Sequence, residues 1–550
     1  MRNEALRDPT SIRGRLADQA ASFAFPLVAA VVLGVSMVHM LVRPQWGDQT
    51  WLLFAARRLL DAGQMHFGDL VEANPPLIVW LSEIPIRLSR AAGIPPTAAL
   101  QLVMALIIAS SVIWTASLVG RKSGLAGKIF SAWFTLALLF AVAIRPWPYY
   151  AQREHILLLL VLPYLAMSAR RIDKLKVTAG EAFLAGMLGA VGILLKPYHA
   201  GVVAAVELFV LMKGRNVRVL VRPETLAMAA TVFAYAGAIC LWAPDYLRKV
   251  LPLLLNTYYA YHHVAFWTML SPERALKLAT LLLVWALLYR QLAHRTLSAV
   301  LALAAVGATA GCLVQMKGHD YHYVPALAFF ELLLGVILID GWLRWFPMRA
   351  WPPNRSLAAA VSLVTCMVVV AVSYPLQRAR AAHSYVDARI ATQRAVSRDI
   401  PSGSTVVFLS TSTESIFEEV LDRGWEWGSR FNCLWMIPAL VDAERSAARA
   451  GTAEPSAMQD SAATTRSAIT ADLNRWRPNP VLVDRCEDRT IAPCMGAGEM
   501  RLDLLHWLQQ DSAFVSAWKD YVRQGEVGPY DLWCRAGETE VCRRILAHSQ

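Results

Sequence analysis

Ionisable and hydrogen-bonding side chains are concentrated in a few short segments that separate long apolar runs. Four of them have the sequences RPWPYYAQREH (145–155), KPYH (196–199), NTYYAYHH (256–263) and QMKGHDYHYVP (315–325). Arginine, lysine, histidine and tyrosine can together hold an oxyanion such as a phosphate through charge-assisted hydrogen bonds. A carboxylate in a partly desolvated cleft can accept a proton. These segments therefore have the residue types of an anion-binding site with acid–base chemistry.

Polar groups at the ends of apolar runs are costly unless they are paired or line a wet cavity, which makes them site candidates. The predicted anion-binding residues are Arg145, Arg153, Lys196, Lys317 and His319. Further candidates in the same segments are Glu154, His155, Tyr198, His199, Asp320, Tyr321 and His322. Glu207 and Glu331 lie within apolar runs with no cation expected at the same depth. We predict that these two glutamates form hydrogen bonds between helices.

The composition of the chain indicates the class of protein to which these segments belong. The 550-residue chain is 56% hydrophobic and 17% charged, with a mean hydropathy of +0.39, which is typical of a membrane protein. Its formal charge of +12 comes from the first 375 residues, because residues 376–550 are mildly acidic. Basic residues that flank spanning helices account for such an excess. Nucleic-acid binding therefore loses its main support, and no nucleic-acid partner is expected.

The positions of the apolar runs predict a multi-span α-helical membrane protein with about eleven spans. A span needs roughly 20 mostly apolar residues. The predicted spans are 23–43, 97–119, 127–144, 155–169, 180–195, 199–213, 225–243, 274–290, 297–315, 322–341 and 356–375. The segment 77–90 is apolar but contains Glu83 and Arg87, so we expect a helix that lies at the membrane surface.

The distribution of Lys and Arg predicts the orientation of these spans. With residues 1–22 in the cytoplasm, every inside loop carries basic residues, as the positive-inside rule requires. The first apolar run is long enough to span and is expected to stay as an anchor. The predicted domains are then the cytoplasmic residues 1–22, a membrane domain 23–375 with a first outer loop 44–96, and an extracytoplasmic domain 376–550. The cytoplasmic (inner) membrane is the expected location.

The residues after 375 predict a small α/β domain. STVVFLST (404–411), NPVLVDR (479–485) and YDLWCR (530–535) have strand patterns, and ESIFEEVLDRG (414–424) and residues 504–521 have helical ones. The Ala/Ser/Thr-rich segment 443–471 is predicted to be a flexible loop. Cys486/Cys494 and Cys534/Cys542 are spaced as local disulfides in an oxidising compartment. Zinc binding is disfavoured because neither pair has a CxxC spacing or nearby histidine ligands.

The order of these motifs resembles the GT-C superfamily of membrane glycosyltransferases. Asp48 follows the first span, a helical stretch comes next, and EANPPL (72–77) precedes an apolar helix. The KP that closes the fifth span, the segment 315–325 and, more loosely, VGPYDLWCR (527–535) are similar too. The likeness is greatest to glycosyltransferase family 39-like proteins and lipid A aminoarabinose transferases.

The resemblance implies an enzyme that transfers a sugar from a polyprenyl-phosphate donor to a lipid, glycan or protein acceptor outside the membrane. The family's essential acidic residue in the first outer loop maps onto Asp48, and the Glu of its FEKPP-type motif maps onto Glu72. The chemistry independently favours Asp48 as the general base. The chain has Gln49 and Asn74 where the family often has Glu and Lys. No cofactor is firmly predicted, and the missing carboxylate leaves the use of a divalent cation open.

Two other classes of function are compatible with the sequence. A transporter or lipid flippase would use the outer polar residues for binding alone, although the internal repeats common in transporters are not evident. A non-catalytic subunit of a cell-envelope polysaccharide system would use its outer domain to bind a partner.

Overall fold

The computed structural model describes residues 34, 47–62, 68–119, 125–147, 149–261, 263–345, 384–412, 416–488 and 500–549. These residues divide into two compact units. By the names that the predicted topology gives them, the membrane unit contains residues 104–233 and 264–345, and the outer unit contains residues 47–103, 234–263 and 384–549. The predicted domain boundary at 375/376 lies outside the described residues.

Up to residue 345 the described chain is helical. The helices are α1 Gly47–Ala62, α2 Leu77–Ala92, α3 Pro96–Val119, α4 Leu125–Leu139, α5 Arg153–Ile172, α6 Ala179–Leu195, α7 Ala200–Gly214, α8 Pro223–Trp242, α9 Leu251–Leu254, α10 Phe266–Met269, α11 Pro272–Leu288, α12 Arg295–Gln315 and α13 Val324–Trp345. Short 3₁₀ turns lie at Pro197–His199, Val217–Val221, Tyr289–Gln291 and Asp320–Tyr323, and π-helical turns at Phe140–Ile144, Tyr246–Val250 and Leu255–Tyr259.

Six described helices are long and apolar enough to cross a membrane, which establishes a membrane protein but not the predicted count of eleven. They cover Pro96–Val119, Gly127–Ile144, Arg153–Ile172, Pro223–Trp242, Arg295–Gln315 and Asp320–Arg344. The predicted spans 180–195, 199–213 and 274–290 are helices of 17, 15 and 17 residues, short of the usual length. The runs 23–43 and 356–375 lie outside the described residues.

Close helix packing in the membrane unit depends on small residues. The backbone of Gly201 in α7 approaches Gly307 in α12 so closely that a Cβ on Gly307 would lie 2.4 Å from the Gly201 carbonyl oxygen. Glycines that let helix backbones approach are common at such interfaces in membranes. Helix α6 begins with a capping box, in which the Thr178 side chain accepts from the Glu181 N–H and Glu181 accepts from the Thr178 N–H. The close approach of Gly201 and Gly307 thus sets the distance between α7 and α12.

The last part of the chain forms a five-stranded mixed sheet in the order β2-β1-β3-β5-β4. The strands are β1 Thr405–Leu409, β2 Glu426–Trp427, β3 Val481–Asp484, β4 Tyr521–Val527 and β5 Tyr530–Arg535. Strand β1 is parallel to β2 and β3, whereas β5 is antiparallel to β3 and β4. The helices are α14 Ser384–Asp399, α15 Phe417–Asp422, α16 Ile437–Ala450, α17 Ser456–Trp476, α18 Leu504–Leu508, α19 Ser512–Trp518 and α20 Glu540–Ser549.

The prediction that residues 443–471 form a flexible loop is wrong. Most of it lies in α16 and α17. Small side chains of α17 are buried at helical spacing, including Ala462, Thr465, Ala468 and Ile469, so burial of one face stabilises a helix that its composition does not indicate. The predicted disulfide Cys534–Cys542 is confirmed and links β5 to α20. Cys494 lies outside the described residues, so its pairing with Cys486 stays a prediction.

Candidate active site

The two predicted catalytic carboxylates lie in the outer unit. Asp48 is in the first turn of α1, where the helix dipole stabilises negative charge. Glu72 is buried, and its carboxylate accepts hydrogen bonds from the Trp51 indole and from both the backbone and side-chain N–H groups of Asn74. Trp51 follows Asp48 by one helical turn, so Glu72 is fixed against the part of α1 that carries Asp48. Asn74, which stands where the family often has Lys, serves here to hold Glu72.

Most of the other predicted residues lie in the membrane unit, and several of them form one buried cluster. Nζ of Lys196, the last residue before the turn Pro197–His199, lies 3.1 Å from Oε1 of Glu154 at the start of α5. Nε2 of His322 lies 3.8 Å from the same oxygen and 3.5 Å from Nζ of Lys196. Arg153 and His199 also act electrostatically on Glu154. The cluster thus surrounds one buried carboxylate with several cationic or ionisable groups.

Gln315 belongs to this cluster although it is not among the predicted site residues. Its Oε1 lies 3.5 Å from Nζ of Lys196, and its amide donates to the Gly311 carbonyl oxygen at 3.1 Å. Gly311 lies very close to the turn Pro197–His199. A Cβ at this position would lie 2.6 Å from the Tyr198 carbonyl oxygen and 2.9 Å from Nδ1 of His199. The only sequence signal for Gln315 is that it opens the polar segment 315–325.

Aromatic rings form one side of the cluster. His319 stacks on Tyr321 with ring centroids 5.2 Å apart, and Tyr321 meets His322 edge-on at 4.5 Å. Nζ of Lys196 lies 5.7 Å from the centroid of the Tyr321 ring, within the range of a cation–π interaction. The predicted residues His319, Tyr321 and His322 are therefore brought to Lys196.

Lys317 lies between α12 and the turn Asp320–Tyr323 and is only 7% exposed. Burial lowers its pKa to about 8, because desolvation disfavours the ammonium form. Lys317 is thus a cation near neutral pH whose charge is lost under mildly alkaline conditions. Arg153 is buried at the start of α5, and Tyr198 is 36% exposed in its 3₁₀ turn.

Three predicted residues make contacts with other parts of the membrane unit. Nε of Arg145 forms an ion pair with Oε1 of Glu331 at 2.6 Å. Asp320 pairs with Arg274 at 2.7 Å, with both side chains largely exposed. His155 accepts from the Ala151 N–H at Nδ1 and lies 2.6 Å from the Val142 carbonyl oxygen through Nε2, so Nε2 carries the proton and donates. His155 thereby joins the turn before α5 to the π-helical turn Phe140–Ile144.

The prediction that Glu207 and Glu331 have no cation at their depth is wrong. Glu331 pairs with Arg145, and Glu207 pairs with Arg222 while also accepting from the Tyr164 hydroxyl at 2.5 Å. Arg222 in turn contacts Glu224, which Arg171 binds at 2.7 Å. Buried charges of this kind require partners to offset desolvation. Arg145 is 186 positions from Glu331, and Arg222 is 15 positions from Glu207 on a separate turn, so the periodicity of one apolar run does not show either pair.

Within the described residues no group of three or more His, Cys, Asp or Glu side chains is arranged to hold a metal ion. The site as described offers cations, neutral donors and single carboxylates.

Comparisons with known proteins show which solved structures have a similar fold. No protein-family model and no curated protein matches the chain. ArnT from Cupriavidus metallidurans, solved with bound undecaprenyl phosphate, is similar over 94% of this chain and 98% of its own, with a TM-score of 0.54 and 11% identity. The archaeal oligosaccharyltransferase AglB from Archaeoglobus fulgidus, in complex with an inhibitory peptide and a dolichol-phosphate, covers 84% of this chain and 69% of its own, at a TM-score of 0.43 and 11% identity.

The fold defines the class. This is a membrane protein with a GT-C-like fold. The predicted resemblance to GT-C proteins is thus confirmed for the fold.

Proposed function

We propose that this protein is a membrane glycosyltransferase that moves a sugar from a polyprenyl-phosphate donor to a lipid, glycan or protein acceptor. The observation that carries the proposal is the likeness of fold, over nearly the whole of both chains, to ArnT with bound undecaprenyl phosphate. The buried Lys196 cluster supports it independently, because it provides cationic and hydrogen-bonding groups suited to a lipid phosphate.

In the proposed reaction Asp48 is the general base. Its carboxylate takes the proton of the acceptor hydroxyl as that oxygen forms a bond to the anomeric carbon of the sugar. The bond between the anomeric carbon and the phosphate oxygen breaks, and its electron pair leaves with the polyprenyl phosphate. A single displacement of this kind inverts the configuration and needs no covalent intermediate. Glu72 acts as the second carboxylate, and its hydrogen bonds to Trp51 and Asn74 keep it beside the first turn of α1.

The leaving phosphate gains negative charge, so the residues that bind it must stabilise that charge. We assign this role to Lys196, Lys317, Arg153, Arg145 and His319. Lys196 and Arg145 already have carboxylate partners, Glu154 and Glu331, so a phosphate would share or displace those partners. Glu154, His199, Tyr321 and His322 complete the immediate surroundings of Lys196.

The positive-inside pattern supports a location in the cytoplasmic membrane with the N-terminus inside and the C-terminal domain outside. A reporter that is active only outside the cytoplasm, fused after Gln550, is expected to be active. Activity of a cytoplasm-specific reporter at the same place would contradict this orientation.

The decisive experiment is an assay with the purified protein, a polyprenyl-phosphate sugar and a mixture of envelope acceptors. We expect release of polyprenyl phosphate and sugar transfer by the wild type, and loss of both in Asp48→Asn with the protein still folded in the membrane. Retained transfer in that variant would contradict the base assignment. Lipid movement without sugar release would favour a flippase, and neither activity would favour a non-catalytic subunit. Addition of a chelator tests the use of a divalent cation.

A further inference from the structure

The first outer loop and the C-terminal domain are parts of one compact unit, although residues 97–375 separate them in the sequence. Helix α1, which carries Asp48, is buried on all sides in its middle turns, where Trp51, Leu53 and Phe54 are each 1% exposed. Other segments must cover these side chains, since a single helix cannot bury them itself.

Phe417 of α15 contacts two aromatic side chains of α1. Its ring centroid lies 4.9 Å from that of Trp51, in an edge-on arrangement, and 5.8 Å from that of Phe54. Trp427 of β2 packs behind it at 4.6 Å. Aromatic pairs at these distances are favourable beyond the area that they bury. The C-terminal domain therefore supplies part of the core against which α1 packs, and α2 covers another part.

Arg58 ties the other end of α1 to the same domain. Its Nη1 donates to the Ser429 carbonyl oxygen at 2.7 Å and to the Asp69 carbonyl oxygen at 3.0 Å. Its Nη2 donates to the Trp427 carbonyl oxygen and to Glu426. Arg58 is 7% exposed. The donors of its planar guanidinium thus connect α1 with the second half of the loop and with β2.

The second half of the first outer loop is bound to the domain by its backbone as well. Val71 forms a parallel β-bridge with Phe431, and its N–H donates to the Arg430 carbonyl oxygen at 2.7 Å. Asp69 forms an ion pair with Arg475 of α17. These contacts flank Glu72, so both candidate carboxylates are held by segments that the C-terminal domain fixes.

Arg58 cannot itself take part in the reaction at Asp48. Ten residues of α-helix separate the two, which is about 15 Å along the axis. Any effect of Arg58 on Asp48 must pass through the orientation of α1 as a rigid element. Phe417 acts more closely, because it contacts Trp51, which is one turn from Asp48 and donates a hydrogen bond to Glu72.

We propose that the C-terminal domain is a positioning element of the active site, in which Phe417 and Arg58 hold α1 so that Asp48 is placed for proton transfer. The proposal rests on the proposed function for the identity of the reaction. The domain would then contribute to turnover itself, and not only to stability or to acceptor binding.

The test compares Phe417→Leu with Phe514→Leu in the full-length protein. Both phenylalanines are fully buried in the outer unit, but Phe514 stacks on Trp518 of α19 and serves as the matched control. We expect Phe417→Leu to lower kcat by up to about 100-fold, with little change in KM for the donor, because displacing a catalytic group by about 1 Å has effects of this size. Phe514→Leu should leave kcat close to that of the wild type. Equal kcat values in the two variants would overturn the proposal.

Hydrogen exchange of α1 provides a readout that does not depend on the reaction. Phe417→Leu and Arg58→Lys should speed amide exchange in residues 48–62, whereas Phe514→Leu should not. Unchanged exchange in all three variants would overturn the positioning role even if the wild type transfers sugar. Faster exchange restricted to the first two would support the contact even if the wild type transfers none, in which case the proposed function fails separately.

Discussion

Lys196 and Glu154 form a buried ion pair in which Nζ lies 3.1 Å from Oε1, and the carboxylate has no exposed surface. The pair joins the residue that follows α6 to the first turn of α5. Glu154 is therefore the counter-ion of Lys196, and under the proposed function a phosphate bound by Lys196 would compete with it. A phosphate that binds Lys196 must offer at least as much negative charge as the carboxylate it competes with.

Replacing Glu154 with Gln should lower the stability of the unliganded protein but increase the stabilisation that a polyprenyl phosphate confers. Removing one partner of a buried ion pair is destabilising by about 3–5 kcal/mol, because the other charge is left buried without compensation. A bound phosphate restores the missing charge, and its affinity appears as a shift in Tm. The measurement is thermal unfolding with and without undecaprenyl phosphate.

Glu207→Gln is the control for this prediction, since Glu207 pairs with Arg222, which is not a proposed phosphate ligand. It should lower Tm without enlarging the ligand-induced shift. A ligand-induced shift in Glu154→Gln that is no larger than in the wild type would contradict the counter-ion role of Glu154.

Lys317 should make binding of the donor depend on pH. Its pKa is lowered to about 8 by burial, so the ammonium is lost, and binding of polyprenyl phosphate weakens, as the pH rises through that value. Lys317→Arg should keep its affinity over the same range, because an arginine stays charged. Binding isotherms on both sides of pH 8 would show the difference, and parallel pH profiles for the two proteins would exclude Lys317 as a ligand.

The lowered pKa of Lys317 affects stability in the opposite direction from donor binding. Between the folded pKa and the ordinary value near 10.5 the unfolded chain binds more protons at this lysine than the folded chain does. The contribution of Lys317 to the free energy of unfolding therefore increases as the pH rises through this range. Weaker donor binding above pH 8 is therefore not expected to come from unfolding, because Lys317 does not destabilise the folded protein in this pH range.

Gly311→Ala should disrupt the Lys196 cluster. The added methyl group would lie 2.6 Å from the Tyr198 carbonyl oxygen and 2.9 Å from Nδ1 of His199, so the turn that follows Lys196 must shift. We expect a loss of about 1–3 kcal/mol of stability, as for other overpacked sites, together with weaker binding of polyprenyl phosphate. Gly180→Ala is the matched control because a Cβ there meets nothing within 4 Å. Similar effects of both substitutions on binding would argue against a role for the close approach.

Cys534→Ser should destabilise the C-terminal domain. The disulfide with Cys542 ties β5 to α20, and both sulfurs belong to residues with no exposed surface. Loss of a disulfide in a small domain typically lowers the free energy of unfolding by about 2–4 kcal/mol. Thermal unfolding of the variant should match that of the wild type after reduction. A wild type whose unfolding is insensitive to reductant would contradict the expected contribution of this bond.

The sequence by itself determined the class of structure. Long apolar runs have few alternatives to membrane helices, because backbone groups in lipid must be satisfied within the segment, and nine of the eleven predicted runs fall on described helices. The strands at 405–409, 481–484 and 530–535 were likewise predictable from their apolar patterns. Strand β4 was missed because residues 521–527 are largely polar and exposed between their buried ends.

Only the tertiary structure decided which residues are partners. Arg145 and Glu331 are 186 positions apart, and a run of apolar residues specifies a helix but not which neighbour each of its faces meets. The same holds for Asp48, whose helix belongs to a unit with a domain that begins more than 300 residues later. Side-chain packing across distant segments, which local sequence periodicity does not encode, brought Gln315 to Lys196 and Phe417 to Trp51.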